Sequence, residues 1–208
     1  MRRHFWPKAV GISAFMAVFF AAYFQVLHNP VGPVFEMPLT ALDRAIPFQP
    51  SWLAAYLSLW LYVGLPPGFF VRLRTLVVYA LCIGTLCITG LVIFLFWPTA
   101  VPPPAYDLDL ARNPAFALLQ GVDATGNACP SLHVATAVFS AVWLHYGLTR
   151  LGAQAPVVAA SWLWCGLILY STVAIRQHVV LDVVAGAALG IAFAWPALRW
   201  ARVDDDAR

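Results

Sequence analysis

The sequence predicts an all-α integral membrane protein: a bundle of six transmembrane helices with both termini in the cytoplasm. Three observations carry that expectation. Of the 208 residues, 62% are apolar and only 10% are charged, less than half the roughly 25% found in soluble domains. Six apolar runs approach the roughly 20 residues that a helix needs to cross a bilayer core about 30 Å thick. Basic residues also divide unevenly between the two ends of those runs. The same apolar content excludes intrinsic disorder, and a net charge of +3, thinly spread, does not suit nucleic acid. Residues 1–208 read as a single domain.

The runs span about 9–27, 52–71, 75–97, 131–147, 156–175 and 178–198. The first follows Arg2, Arg3 and Lys8 but lacks a small-x-small cleavage site, and it reads as a retained anchor. The second carries Pro66-Pro67-Gly68 near its end, where a stop or kink is expected. In most runs apolar residues occupy all sides, as burial in lipid or in a bundle requires. Gly186 and Gly190 in the sixth run form a small-x3-small pattern suited to close packing within the chain. Cys82, Cys87 and Cys165 lie in apolar runs, and with Cys129 they show no metal-type spacing. The tail after Trp200 reads as a frayed, solvated end.

With six crossings and the N-terminus inside, nine of the twelve basic residues fall on the cytoplasmic side. Arg44, Arg112 and Arg176 fall outside, as do two long proline-rich connections, about 28–51 and 98–130. Long connections in compact bundles are often functional.

Asp182 is the only carboxylate inside any run, and His178 stands four residues before it. On a helix the two side chains share a face, where a carboxylate orients an imidazole and raises its basicity. Asn127-Ala128-Cys129-Pro130-Ser131-Leu132-His133 leads into the fourth run, with Pro130 expected at the first helical position. A helix N-terminus offers free N–H groups to a phosphate, and Ser131 adds a hydroxyl. The topology puts His133, Arg176 and His178 at one depth. Two histidines, a carboxylate, an arginine and a helix N-terminus together suit phosphoryl transfer, which needs a nucleophile, an acid and donors for the phosphate oxygens.

Pro130-Ser131-Leu132-His133, followed by Ser171 with His178 and Asp182 at matching spacing, resembles the type 2 phosphatidic acid phosphatase superfamily. That family carries a Pro-Ser-x-His motif and, some 40 residues later, Ser-Arg-x5-His-x3-Asp. Here Thr172 replaces the usual arginine and a basic residue appears at Arg176, one helical turn on. The family's Lys-x6-Arg-Pro motif is absent: Lys8 is the only lysine, and Arg44 and Arg112 are the substitutes on offer. This pattern is similar to the inositol phosphorylceramide synthase-like branch, whose members transfer or hydrolyse lipid phosphoryl headgroups.

The resemblance implies catalytic roles for His178, His133 and Asp182 and phosphate-binding roles for Arg176, Ser131 and Ser171, with no metal or other cofactor. The expected activity is that of a membrane lipid phosphate phosphatase, working through a phosphohistidine at the outer face. Lipid headgroup phosphotransfer is the alternative, and a non-catalytic lipid or solute carrier is the competitor from another class. Expected partners are a lipid phosphate substrate and membrane lipids, without nucleic acid or an obligate protein partner.

Overall fold

The computed structural model describes residues 5–70, 72–103, 116, 119 and 126–206. All six apolar runs are helical. Helix α1 spans Phe5–His28, and the first connection carries strand β1 (Phe35–Glu36) and helix α2 (Ala41–Ala45). A 3₁₀ turn over Pro50–Trp52 runs into α3 (Leu53–Leu57) and α4 (Leu59–Phe69). Helix α5 (Leu73–Phe96) leads to strand β2 (Thr99–Ala100), and α6 (Leu132–Arg150), α7 (Ala155–Ala174) and α8 (Val180–Asp206) complete the chain. Among the described residues, four stretches are long and apolar enough to cross a membrane: Val10–His28, Leu73–Phe96, Ala155–Ala174 and Val180–Trp200. Of the other two expected crossings, the second is split at Ser58, and α6 carries His133, Thr136, Ser140 and His145.

Three local expectations are corrected. Helix α4 runs through Pro66 and Pro67 to Phe69 instead of stopping at them. Pro67 has no N–H for the Val63 carbonyl, and the Tyr79 hydroxyl donates to that oxygen at 3.3 Å from α5. The break falls at Ser58, whose hydroxyl donates to the Ala55 carbonyl and accepts from the Trp164 indole. Pro130 does not open α6: Ser131 is the cap and Leu132 the first helical residue. The backbone after Trp200 continues as helix to Asp206 rather than fraying.

From α4 on, helices that follow one another in the chain alternate in direction, so those two apart run parallel. Tyr62 on α4 donates to the Ser161 carbonyl while Ser58 meets Trp164, so α4 and α7 run antiparallel. Leu132 lies against Gly90 and Ser140 against Tyr79, which sets α5 antiparallel to α6. Gly186 faces Ser131 and Gly190 faces Ala135, so α6 and α8 run parallel. A Cβ at Gly186 or Gly190 would run into the Ser131 or Ala135 carbonyl oxygen. Lipid is as apolar as leucine, so such helices are held by van der Waals packing, and small residues let the backbones approach. The small-x3-small pattern is used as expected, within the chain.

This alternation gathers the long connections at one end of the bundle. There β1 pairs with β2 in parallel, Phe35 against Thr99 and Glu36 against Ala100. Ala100 also bridges to Gly126, and the Cys129 N–H donates to the Thr99 hydroxyl at 2.8 Å. The two connections are therefore stitched to each other and to the residues just ahead of α6.

A comparison of two helical glycines tests this packing. Gly190→Ala should lower the thermal midpoint in detergent micelles, because overpacking costs about 1–3 kcal/mol. Gly166→Ala meets nothing within 4 Å and should raise the midpoint slightly, alanine being the better helix former by about 1 kcal/mol.

Candidate active site

The turn from α7 to α8 is built by local hydrogen bonding. The Arg176 N–H donates to the Val173 carbonyl, and those of Gln177 and His178 both donate to Thr172, each at 3.0 Å. The 177-to-172 and 176-to-173 bonds make a Schellman closure, whose penultimate position usually holds glycine in the left-handed region. Arg176 occupies it with φ +60°, at a backbone cost of about 1–2 kcal/mol. Its guanidinium offsets that cost by donating to the Asp43 carbonyl at 2.8 Å and the Ile46 carbonyl at 2.7 Å. Arg176 thus clamps the first connection onto the turn.

The first turn of α8 is capped twice. Asp182 Oδ2 accepts from the Val179 N–H at 2.9 Å, and Asp43 Oδ1 accepts from the Val180 N–H at 2.8 Å. Negative charge is favoured at a helix N-terminus by the dipole. Asp43 is fully buried, and its Oδ2 accepts from the Thr40 N–H and hydroxyl, forming the capping box of α2. One carboxylate therefore closes two helix ends. Sequence analysis missed Asp43; Thr40-x-x-Asp43 signals its local cap, whereas nothing local signals its reach to Val180.

His178 Nδ1 lies 3.5 Å from Asp182 Oδ2 and has no hydrogen-bond partner among the described residues. Asp182 Oδ1 is likewise buried and unpartnered among them. Such contacts are often long in unliganded sites and tighten around substrate. The carboxylate faces Nδ1 and leaves Nε2 as the other ring nitrogen for chemistry. Ser131 brings the second motif alongside: its N–H donates to the Asp182 carbonyl at 3.1 Å, and its hydroxyl oxygen accepts from the Val134 N–H at 3.2 Å.

Two residues on, the His133 ring stacks on Tyr56 with centroids 4.1 Å apart and meets Trp60 edge-on at 5.8 Å. Its Nε2 is buried without a partner among the described residues. His133 and His178 line one cavity of about 350 Å³. Its other walls are almost wholly apolar, drawn from α1, α3, α4 and α5, with Asn127 and Thr136 near the histidines.

The structure thus brings His133, His178, Asp182 and Ser131 together, but only the two histidines reach the cavity. Ser171 is buried and its hydroxyl donates back to the Ile168 carbonyl at 2.6 Å. Arg44 is exposed on α2, and Arg112 lies outside the described residues. Cys129, just ahead of α6, has its thiol pushed up to about 11, by burial and then by the Asp182 carboxylate. Among the described residues no three His, Cys, Asp or Glu side chains converge as a metal-ligand set.

Two imidazoles, one of them backed by a carboxylate, thus stand together at one end of an apolar cavity. Compared with known families, residues 75–205 match the PAP2 superfamily. The chain belongs to that superfamily. No curated protein matches it. Membership supports a lipid phosphatase-type enzyme, of the phosphatase and phosphotransferase kind, in a membrane. The match covers α5 to α8 and leaves out Asp43, α1, α3 and α4.

Asp43→Ala should free the Val180 and Thr40 N–H groups and cost about 0.5–2 kcal/mol, the range for a lost helix cap. Hydrogen exchange read by mass spectrometry should rise at Val179–Val180 and across residues 40–46, while the middle of α5 stays protected.

Proposed function

We propose that this chain is a membrane lipid phosphate phosphatase that works through a phosphohistidine on His178. The supporting observation is the cavity: apolar along its length and ending on His133 and His178. In the proposed reaction His178 Nε2 attacks phosphorus, and the bond from phosphorus to the lipid oxygen breaks. Protonated His133 gives its proton to that leaving oxygen. Asp182 holds His178 through Nδ1 and stabilises the imidazolium that forms. Water then loses a proton to His133 and attacks phosphorus, the N–P bond breaks, and inorganic phosphate leaves.

In this scheme Ser131, the N–H groups of the α6 first turn and Arg176 hold the phosphate oxygens. The Asp43 and Ile46 carbonyls occupy two of the five guanidinium N–H groups of Arg176 and leave three for phosphate. Ser171, whose hydroxyl donates its hydrogen bond to the Ile168 carbonyl, supports the end of α7. Hydrolysis is preferred to transfer because the cavity offers few polar groups besides the histidines to hold an acceptor alcohol. A carrier would spread polar groups along its helices, whereas here Asp43, Asp182, Arg176, His133 and His178 gather at one end. The proposed setting has six crossings, cytoplasmic termini and this end facing outward, supported by the helix alternation and the nine-to-three basic asymmetry.

Purified protein given labelled lipid phosphate, with and without lipid alcohols, should release free phosphate in both cases. Label moving mainly into a new lipid would establish transfer instead. His178→Ala should abolish turnover, and Asp182→Asn should lower it about 10²–10⁴-fold, the worth of acid–base assistance. For sidedness, Val31→Cys in a background lacking the native cysteines should react with an impermeant maleimide on intact cells. Reaction only after permeabilisation would put the site on the cytoplasmic face.

A further inference from the structure

The two histidines are held in different ways. His178 has the Asp182 carboxylate facing its ring. Among the described residues no carboxylate lines the cavity, and His133 has an aromatic face there instead. The Tyr56 ring lies 4.1 Å from the His133 ring, centroid to centroid, with only 10° between the planes. Trp60 meets the same imidazole at 5.8 Å and 80°. The Ser58 break stands between them, so the two rings come to His133 from separate helices, α3 and α4. A stack fixes the plane of an imidazole and leaves its in-plane nitrogens open. His133 Nε2, buried and without a partner among the described residues, is left open in this way.

The segment that carries Tyr56 is itself pinned. The Gln49 N–H donates to the Ala174 carbonyl at 2.8 Å, and the Gln49 side chain donates to the Tyr170 hydroxyl at 2.8 Å. Trp52 meets Tyr170 edge-on with centroids 4.7 Å apart. Tyr56 is fully buried and shares a cluster with Ile175, the neighbour of Arg176. Helix α3 is thus fastened to the end of α7 that leads into the His178 turn. Burial among apolar groups works against a charged imidazole. An aromatic face attracts a cation through the ring quadrupole, and more strongly where water is excluded.

We infer that Tyr56 is a positioning residue for His133: its ring face holds the plane of the imidazole and supports the protonated form. The inference rests on the phosphatase reading for the role of His133. In that reaction the proton passes from His133 Nε2 to the lipid oxygen, as the bond from phosphorus to that oxygen breaks and the His178 N–P bond forms. Tyr56 itself gives and takes no proton. It lies outside residues 75–205, the part that matches the superfamily, so family membership does not supply it.

The test is a double-mutant cycle on the full chain in micelles, with dodecyl phosphate as substrate. Tyr56→Leu should lower kcat roughly tenfold, the scale of a desolvated cation on an aromatic face, and leave KM nearly unchanged. Tyr56→Phe keeps the face and should retain most of the rate. In a His133→Ala background Tyr56→Leu should cost nothing further, because residues that act through one another are not additive. A second substrate is 4-nitrophenyl phosphate, whose leaving group departs without a proton. Its first-turnover burst should be nearly unchanged in Tyr56→Leu.

An unchanged kcat in Tyr56→Leu, an equal loss on both substrates, or a loss that persists beside His133→Ala would overturn the inference. So would a loss in Tyr56→Phe as large as in Tyr56→Leu, which would move the role to the hydroxyl. Should Tyr56→Leu fail to fold, phenylalanines carrying one, two or three fluorines at position 56 keep the shape and weaken the face. A stepwise fall in kcat along that series supports the inference, and a flat series overturns it. Wild-type protein that released no phosphate would sink the phosphatase reading and the assigned role with it. Release by the wild type, with Tyr56→Leu equally fast, would sink the Tyr56 inference alone.

Discussion

The first turn of α8 is where the requirements of the backbone and of the chemistry meet. A helix that starts inside a protein leaves N–H groups unpaired, and each buried one left so costs about 1–3 kcal/mol. Asp182 takes one from within the helix and Asp43 takes another from the first connection. The Asp182 carbonyl meanwhile receives the Ser131 N–H, tying this turn to the first turn of α6. His178 and His133 are the side chains these ties bring to one cavity. Asp182 thus caps a helix and faces an imidazole with the same oxygen, Oδ2.

Helix packing serves the same end. Gly186 and Gly190 let α8 lie backbone-close along α6, and without that approach Ser131 could not reach the Asp182 carbonyl. On the other side α1, α3, α4 and α5 stand far enough apart to leave the cavity. One half of the bundle is closed up to fix the histidines, and the other is held open in front of them. The connections close the end, joined by the β1–β2 pair and pinned to the α7–α8 turn through Arg176 and Asp43.

Much of this was legible in the chain. Length and hydropathy located the six helical runs, and alternation of the runs put His133 at the depth of His178. The four-residue spacing paired His178 with Asp182, although His178 stands in the turn ahead of α8 and not on the helix expected through 178–182. What escaped depends on partners distant in sequence. Pro66-Pro67 reads as a break, yet Tyr79 supplies the hydrogen bond that Pro67 cannot make. Arg176 reads as a phosphate ligand, and nothing local signals its left-handed backbone and two carbonyl partners, which are products of the folded turn. Asp43 gets no role from the sequence, since Thr40-x-x-Asp43 signals at most a local cap and its second cap lies 137 residues away. The aromatic wall of α1 reads as an anchor facing lipid, because hydropathy does not distinguish a side chain facing lipid from one facing a cavity.

The central claim is that His178 carries the phosphoryl group while Asp182 holds its ring. The most direct measurement is to quench the enzyme in alkali during turnover of a phosphorus-labelled lipid phosphate and to map the labelled peptide. The account predicts one labelled residue, His178, with a bond stable in alkali and lost in acid, and less labelled enzyme formed when Asp182 is Asn. Label on Ser131 or His133, or turnover with no trapped phosphoenzyme under any quench, would contradict it.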